Sequence, residues 1–167
     1  MDPFFSAIES TAFSTWLRES PSLWVFPFVL ILHTVGLAFL VGANVAIDAR
    51  VLGLARGVPM RTLARYHVVM WVGFWINAAS GVLLLIAYPT KSLTNPLFYV
   101  KLLIIGVALA LAGAIRARLP ETEMPGGVAR SNLRLLAAAS LACWVLGITA
   151  GRFLAYTYSR LLVDFTG

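Results

Sequence analysis

Residues 23–47 read LWVFPFVLILHTVGLAFLVGANVAI, twenty-five positions without one acidic or basic charge apart from the neutral imidazole of His33. A helix rises 1.5 Å per residue, so about 20 mostly apolar residues cross the hydrocarbon core of a bilayer, and this stretch reads as a transmembrane span. Three more stretches meet the same length, at about 67–88, 97–115 and 135–156. Pro59 suits a first helical turn and would let the second helix begin in the basic segment before it. The expected fold is therefore all-α: one four-helix transmembrane bundle occupying residues 1–167 as a single domain.

Composition agrees. Of 167 residues, 60% are apolar and 12% are charged, about half the charged share of a soluble domain, and the mean hydropathy is +0.86. An ordinary water-soluble protein is excluded, and the length leaves no room for a second soluble catalytic module beside four spans. The lone cysteine, Cys143, lies in an apolar run, so a disulfide framework, a CxxC pair and a cysteine-based zinc or iron–sulfur site are all excluded. Residues 1–22 carry Asp2, Glu9, Arg18 and Glu19 and lack a continuous apolar core, so no removable signal peptide is evident and the mature chain is expected to start at Met1.

The formal charge of +6 does not imply nucleic acid, because the basic residues sit between apolar segments as topology signals do. Arg50, Arg56, Arg61 and Arg65 lie between spans one and two, and Arg116, Arg118, Arg130 and Arg134 between spans three and four. Those loops are expected to face the cytoplasm, which places both termini of a multi-pass protein outside. Trp16, Trp24, Tyr88, Tyr99, Tyr156 and Tyr158 would then form an aromatic belt at the outer interface. Phe5, Ile8, Phe13, Trp16 and Leu17 recur at roughly helical spacing after Asp2 and Pro3, which predicts a short N-terminal helix. That helix suits a membrane-interface anchor or a cap packed over the bundle. Pro120 and Pro125-Gly126-Gly127 mark turns in the loop 119–132, and no internal repeat suggests an inverted-repeat transporter.

Polar residues at membrane depth require partners, which makes them functional signals. Here they are His33, His67, Asn77, Ser80, Lys101 and Arg152. His33 falls near mid-depth, with Gly36 about one turn on. Imidazole can bind haem iron axially, and a glycine on the same face would clear space for a flat macrocycle. The alternative is a histidine hydrogen-bonded across helices, for example to Asn77 or Ser80. His67 stands at the cytoplasmic entrance of span two, with Arg61 and Arg65 placed to receive haem propionates, or is simply an interfacial histidine on a wet, basic helix end. His33 lies about 21 Å from the end of span one and His67 within about 10 Å of the same membrane face, so one haem shared between them is disfavoured. If haem is bound, His33 and His67 are expected as iron ligands at separate depths, each iron taking a further ligand such as methionine, water or a histidine of a neighbouring subunit, unless only one site exists.

Lys101 and Arg152 each lie about one turn inside the outer end of a span, and no Asp or Glu falls within the four spans as drawn. Both are expected to snorkel toward headgroups or to meet an anion: a haem propionate, a lipid phosphate or a polar quinone headgroup. Asp48, just past span one, reads as a solvated helix-end charge or a partner of Arg50 or Arg61. Asn77-Ala78-Ala79-Ser80-Gly81, Gly106, Gly113 and Gly147-xxx-Gly151 allow close helix approach, and Trp71 and Trp75 read as packing residues.

His33-Thr34-Val35-Gly36-Leu37, Asp48-Ala49-Arg50-Val51-Leu52-Gly53 and Asn95-Pro96-Leu97-Phe98-Tyr99-Val100-Lys101-Leu102 together resemble the small four-helix bacterial membrane proteins loosely related to copper-resistance D and to cytochrome b-type membrane anchors. The resemblance implies a bundle that carries b-type haem or passes electrons between quinone and a partner. The leading expectation is an electron-transfer subunit with His33 and His67 as iron ligands, Lys101, Arg152, Arg61 and Arg65 receiving propionates, and a periplasmic redox protein as partner. The runner-up is a cofactor-free structural or assembly subunit, bound to other membrane subunits or to copies of itself. Metal or small-solute transport is weaker, because no Met-rich or Cys/His cluster has ligand spacing. Soluble catalysis is weaker still, with no Ser-His-Asp set, phosphate loop or paired carboxylates.

Overall fold

The computed structural model describes residues 7–20, 24–55, 57–59, 62–119 and 127–163. Among them the regular structure is helical throughout: α1 (Ala12–Glu19), α2 (Val25–Leu52), α3 (Leu63–Ala87), α4 (Pro89–Leu93), α5 (Pro96–Arg118) and α6 (Gly127–Val163). Four of these, α2, α3, α5 and α6, are long and apolar enough to cross a membrane. The chain is an all-α four-helix bundle, as the sequence led us to expect.

The helices overrun the apolar stretches because polar termini extend them. α2 continues five residues past Ile47 and stops at Gly53, whose φ of 88° lets its N–H bond the Arg50 carbonyl at 3.1 Å while Leu54 N–H bonds the Ala49 carbonyl at 2.9 Å. α3 starts at Leu63, not at Pro59, which lies outside the helix and accepts the Thr62 N–H instead. α5 begins at Pro96, with the Asn95 carboxamide accepting the Leu97 N–H at 3.0 Å. α6 begins at Gly127, inside the stretch read as a loop, so Arg130 and Arg134 belong to a helix; the turn residues at 120 and 125–126 lie outside the described residues.

α2 packs chiefly on α3 and α5 chiefly on α6, and the two hairpins meet mainly through α2 and α6. α2 and α3 cross at paired glycines. A Cβ on Gly36 would come within 2.6 Å of the Asn77 backbone nitrogen, and one on Gly73 within 2.5 Å of the Leu40 nitrogen. The buried positions Leu40, Ala43, Asn44, Ile47 and Asp48 of α2 follow helical spacing on one face, and Leu133, Ala137, Ser140, Trp144 and Gly147 do so on α6. Two core clusters result: Leu40, Ala43, Met70, Ala108, Ala112 and Trp144 in the middle, and Ile47, Leu63, Ile115, Leu133 and Ala137 toward the arginine-rich end. Large apolar side chains such as Ile31, Leu103, Leu135 and Val145 point outward, a coat that suits lipid and not water.

At the opposite end a smaller core of Leu17, Val29 and Ala87 joins α1, α2 and α3. α1 is a cap. Its Ser14 hydroxyl donates to the Ile86 carbonyl at 2.9 Å, and Arg18 reaches the Ala87 carbonyl at 3.4 Å and the Glu9 carbonyl at 2.8 Å, so α1 satisfies carbonyls left open at the end of α3. The opposite face of α1 carries the exposed, stacked Phe13 and Trp16. Trp24, Tyr88, Tyr99 and Tyr156 are exposed at the same end of the bundle, as an interfacial belt requires.

Candidate functional site at the α2–α3 crossing

His33 sits on α2 against Asn77, Ser80 and Gly81 of α3. Its Nδ1 lies 3.1 Å from the Asn77 carbonyl and 3.2 Å from Ser80 Oγ. The carbonyl can only accept, and the single Ser80 hydroxyl proton is directed at the Ile76 carbonyl, 2.7 Å away. The Asn77 side-chain amide also lies 3.4 Å from Nδ1, but the shorter contact is to the carbonyl, and with that carbonyl as its partner Nδ1 carries the proton and the lone pair of the neutral ring is on Nε2. The Asn77 side-chain amide returns a bond to the His33 carbonyl at 2.7 Å, and Gly81 leaves room for the ring, since a Cβ there would stand 3.2 Å from Cε1. This is the cross-helix bonding expected as the alternative to iron ligation. It fixes ring orientation and tautomer in the manner seen for metal-binding histidines.

Gly36 does not serve the role foreseen for it. The space it leaves is filled by the α3 backbone at Asn77 and Gly73, so it permits a helix crossing and not the approach of a macrocycle. Gly73, its partner in that crossing, went unread because a glycine between Val72 and Phe74 carries no spacing signal by itself.

Lys101 lies half-buried on α5, its stem laid along Gly151 of α6 with Cε 3.6 Å and Nζ 3.8 Å from where a Cβ would stand. Arg152, the next residue after Gly151, is exposed. Lys101 and the exposed Arg152 thus lie in the half of the bundle away from the arginine-rich loops, the half that also holds His33.

His67 is not part of this group. His33 is level with Asn77, ten residues further along α3, so the two histidines are about 15 Å apart along the helix axis. His67 is buried, and its Nε2 accepts a hydrogen bond from Trp71 Nε1 at 3.0 Å, with the two rings edge-on at 6.3 Å. A bond from that nitrogen to iron would have to displace Trp71. Arg65 is exposed beside it, and Arg61 lies outside the described residues. Trp71, Phe74 and Trp75 form a chain of edge-on ring contacts, with Trp75 pointing outward.

Asp48 departs most from expectation. It is not solvated: α2 runs on to Leu52, which places Asp48 inside a span, 1% exposed and turned toward Ser140 of α6, and none of the described arginines pairs with it, Arg61 lying outside the described residues. Arg50 instead donates Nε–H to the Val58 carbonyl at 2.7 Å. A span boundary at Ile47 hides this, although the spacing Leu40, Ala43, Asn44, Ile47, Asp48 already places the carboxylate on the buried stripe.

The fold and these sites define a class, a multi-pass all-α membrane bundle with polar side chains buried between its helices. No protein-family model, curated protein or solved structure matches the chain. Among the described residues there is no group of three or more His, Cys, Asp or Glu side chains that could hold a metal ion.

Proposed function

We propose that the protein is a membrane-embedded electron-transfer subunit that holds one b-type haem on His33 and passes electrons between a quinone and a partner redox protein. The observation that carries this reading is the anchoring of the His33 ring through Nδ1, which leaves the Nε2 lone pair for an axial bond. Lys101 and Arg152 would receive the propionates from α5 and α6. His67, with Nε2 engaged by Trp71, and Gly36, closed by α3, take no part in it. A haem in this position supplies one-electron chemistry, and the chain contributes binding, orientation and a positive field. The arginine-rich loops would face the cytoplasm of a bacterial cell, placing His33 and both termini toward the periplasm and a periplasmic partner.

An absorption spectrum of the purified protein tests this. Reduced Soret and alpha bands that vanish in His33→Ala are the expected result, and a colourless, folded protein rejects it.

The interlock of His33 with Asn77 and Ser80 beside the Gly36–Gly73 crossing favours a second reading, a cofactor-free structural subunit of a larger membrane complex. In that case His33→Ala alters co-purification of partner subunits and leaves the spectrum unchanged.

A further inference from the structure

At the arginine-rich half of the bundle, α2 and α6 enclose four polar side chains that the His33 site does not use: Asn44 and Asp48, one turn apart on α2, and Ser140 and Trp144, one turn apart on α6. None is more than 2% exposed. Asn44 is internally satisfied, its amide donating to the Leu40 carbonyl at 2.7 Å. The other three are not: Asp48 Oδ2, Ser140 Oγ and Trp144 Nε1 are buried without a hydrogen-bond partner. Ser140 Oγ lies beside the Asp48 carboxyl without completing a bond to it.

Among the described residues the surroundings contain no countercharge. From α6 the facing groups are Ser140 and Trp144, with Leu133 and Ala137 below and half-buried Cys143 in the middle core. From α3 they are Leu63 and the half-buried Tyr66, which packs against both core clusters, and from α5 Ala112 and Ile115. On α2 itself Arg50 bonds the Val58 carbonyl, and Arg65, Arg116 and Arg134 are exposed; none of these described residues forms an ion pair with Asp48. An ionised carboxylate here would be a buried charge with the Ser140 hydroxyl beside it but no cation among the described residues, a state that proteins avoid by ion pairing or by neutralisation. The neutral acid fits. Its O–H can donate to Ser140 Oγ, and its carbonyl oxygen needs no cation. Asp48 stands four residues from the end of α2, about 6 Å of helix from the arginine-rich surface, and Trp144 continues the polar line inward beside Leu40 and Ala43.

We propose that Asp48 is an intramembrane proton-binding site, whose carboxylate takes a proton from water at the arginine-rich end and holds it as a neutral acid between α2 and α6, with Ser140 as its hydrogen-bond partner. Trp144, one turn inward from Ser140 on α6, carries an N–H that can only donate and so adds no ligand for a metal cation. The site is independent of any haem on His33.

Infrared difference spectroscopy on the full chain in lipid vesicles tests it. At pH 6 a solvated aspartate, with a pKa of about 3.9, is ionised about a hundredfold over its acid form. The expected result is a carboxylic-acid C=O band at pH 6 that is absent from Asp48→Asn, shifts in frequency in Ser140→Ala and moves on exchange into deuterated water. The chain has three aspartates, Asp2, Asp48 and Asp164, and only Asp48 lies in a span, so aspartate labelled with carbon-13 at the carboxyl assigns the band in the unaltered sequence even if Asp48→Asn fails to fold. Two results overturn the proposal: no aspartate-dependent acid band at pH 6, or a band that disappears when sodium chloride replaces choline chloride, which would make the site one for a monovalent cation.

Discussion

At the arginine-rich end, α2, α3, α5 and α6 all contribute to contiguous buried cores, whereas at the opposite end the fully buried core is built from α1, α2 and α3 alone. The first region is closed around Asp48, Ser140 and Trp144. The second holds a half-buried histidine on α2, His33, and a half-buried cation on α5, Lys101, with α1 covering only the α2–α3 side. One region is sealed enough to strand polar atoms, and the other carries a half-buried imidazole and a half-buried positive charge on different hairpins. Inside a bilayer, helices gain little from the hydrophobic effect when they associate, so van der Waals fit and polar contacts decide which region is rigid.

The sharpest way to break this comparison uses one residue type in two settings. Trp144 is 2% exposed within the middle core, and Trp75 is 66% exposed toward lipid. Truncating Trp144 to Ala leaves a cavity among Leu40, Ala43, Ala108 and Ala112 and should destabilise the bundle by about 3–5 kcal/mol, while Trp75→Ala should change stability by no more than about 0.5 kcal/mol. Denaturant titration in micelles measures both. Equal losses would mean that the closed core does not exist as described.

A smaller effect is expected at the glycines. Gly73→Ala forces a methyl group to within 2.5 Å of the Leu40 backbone nitrogen, where no side chain can rotate away, so the α2–α3 crossing must open. The expected loss is about 1–3 kcal/mol, at the upper end of that range because backbone is involved. A methyl group on Gly106 would meet nothing within 4 Å, and Gly106→Ala should be neutral or stabilising by up to about 1 kcal/mol through helix propensity. The same micelle titration distinguishes them, and a tolerated Gly73→Ala would contradict the close crossing.

What the sequence made legible follows from the same physics. Hydropathy and length located all four spanning helices, because the requirement to bury about 20 apolar residues leaves few alternatives. Helix ends were less legible, since Gly53 and Asn95 end or begin helices by local backbone geometry that hydropathy does not register. That small error concealed the largest feature, for moving the end of α2 from Ile47 to Leu52 changes Asp48 from a surface charge into a buried one. His33 and its two candidate partners, Asn77 and Ser80, were readable as a polar set, but which face of α3 meets α2 depends on the Gly36–Gly73 crossing, a pairwise property that neither segment encodes alone. His67 and Trp71 stand one turn apart and could have been read as a bonded pair, because an indole N–H and an imidazole nitrogen at that spacing share a face.

At the α1 cap the expected effect is smaller again. Ser14→Ala removes the hydroxyl bond to the Ile86 carbonyl and leaves that acceptor covered by α1, a loss of about 1 kcal/mol. Because α1 packs only at one end, the change should be local. Hydrogen exchange should speed up in α1 and in the last turn of α3 while the Trp144 core stays protected. Uniform acceleration through α5 and α6 would show that the two ends are coupled more tightly than their separate cores suggest.

The smallest effect concerns the charge in the more open region. Lys101→Met preserves the unbranched stem along Gly151 and removes only the ammonium, so bundle stability should stay within about 0.5 kcal/mol of the parent. Retention of an anionic ligand, in contrast, should fall, read as a lower ratio of haem absorbance to protein absorbance after purification from haem-replete membranes. A double substitution with Arg152→Gln should lower that ratio further if the two cations serve the same ligand. If Lys101→Met leaves the ratio unchanged while His33→Ala abolishes it, the imidazole alone holds the cofactor and Lys101 is only a side chain reaching for the headgroups, which would make the region away from the arginines a one-contact site and not a built pocket.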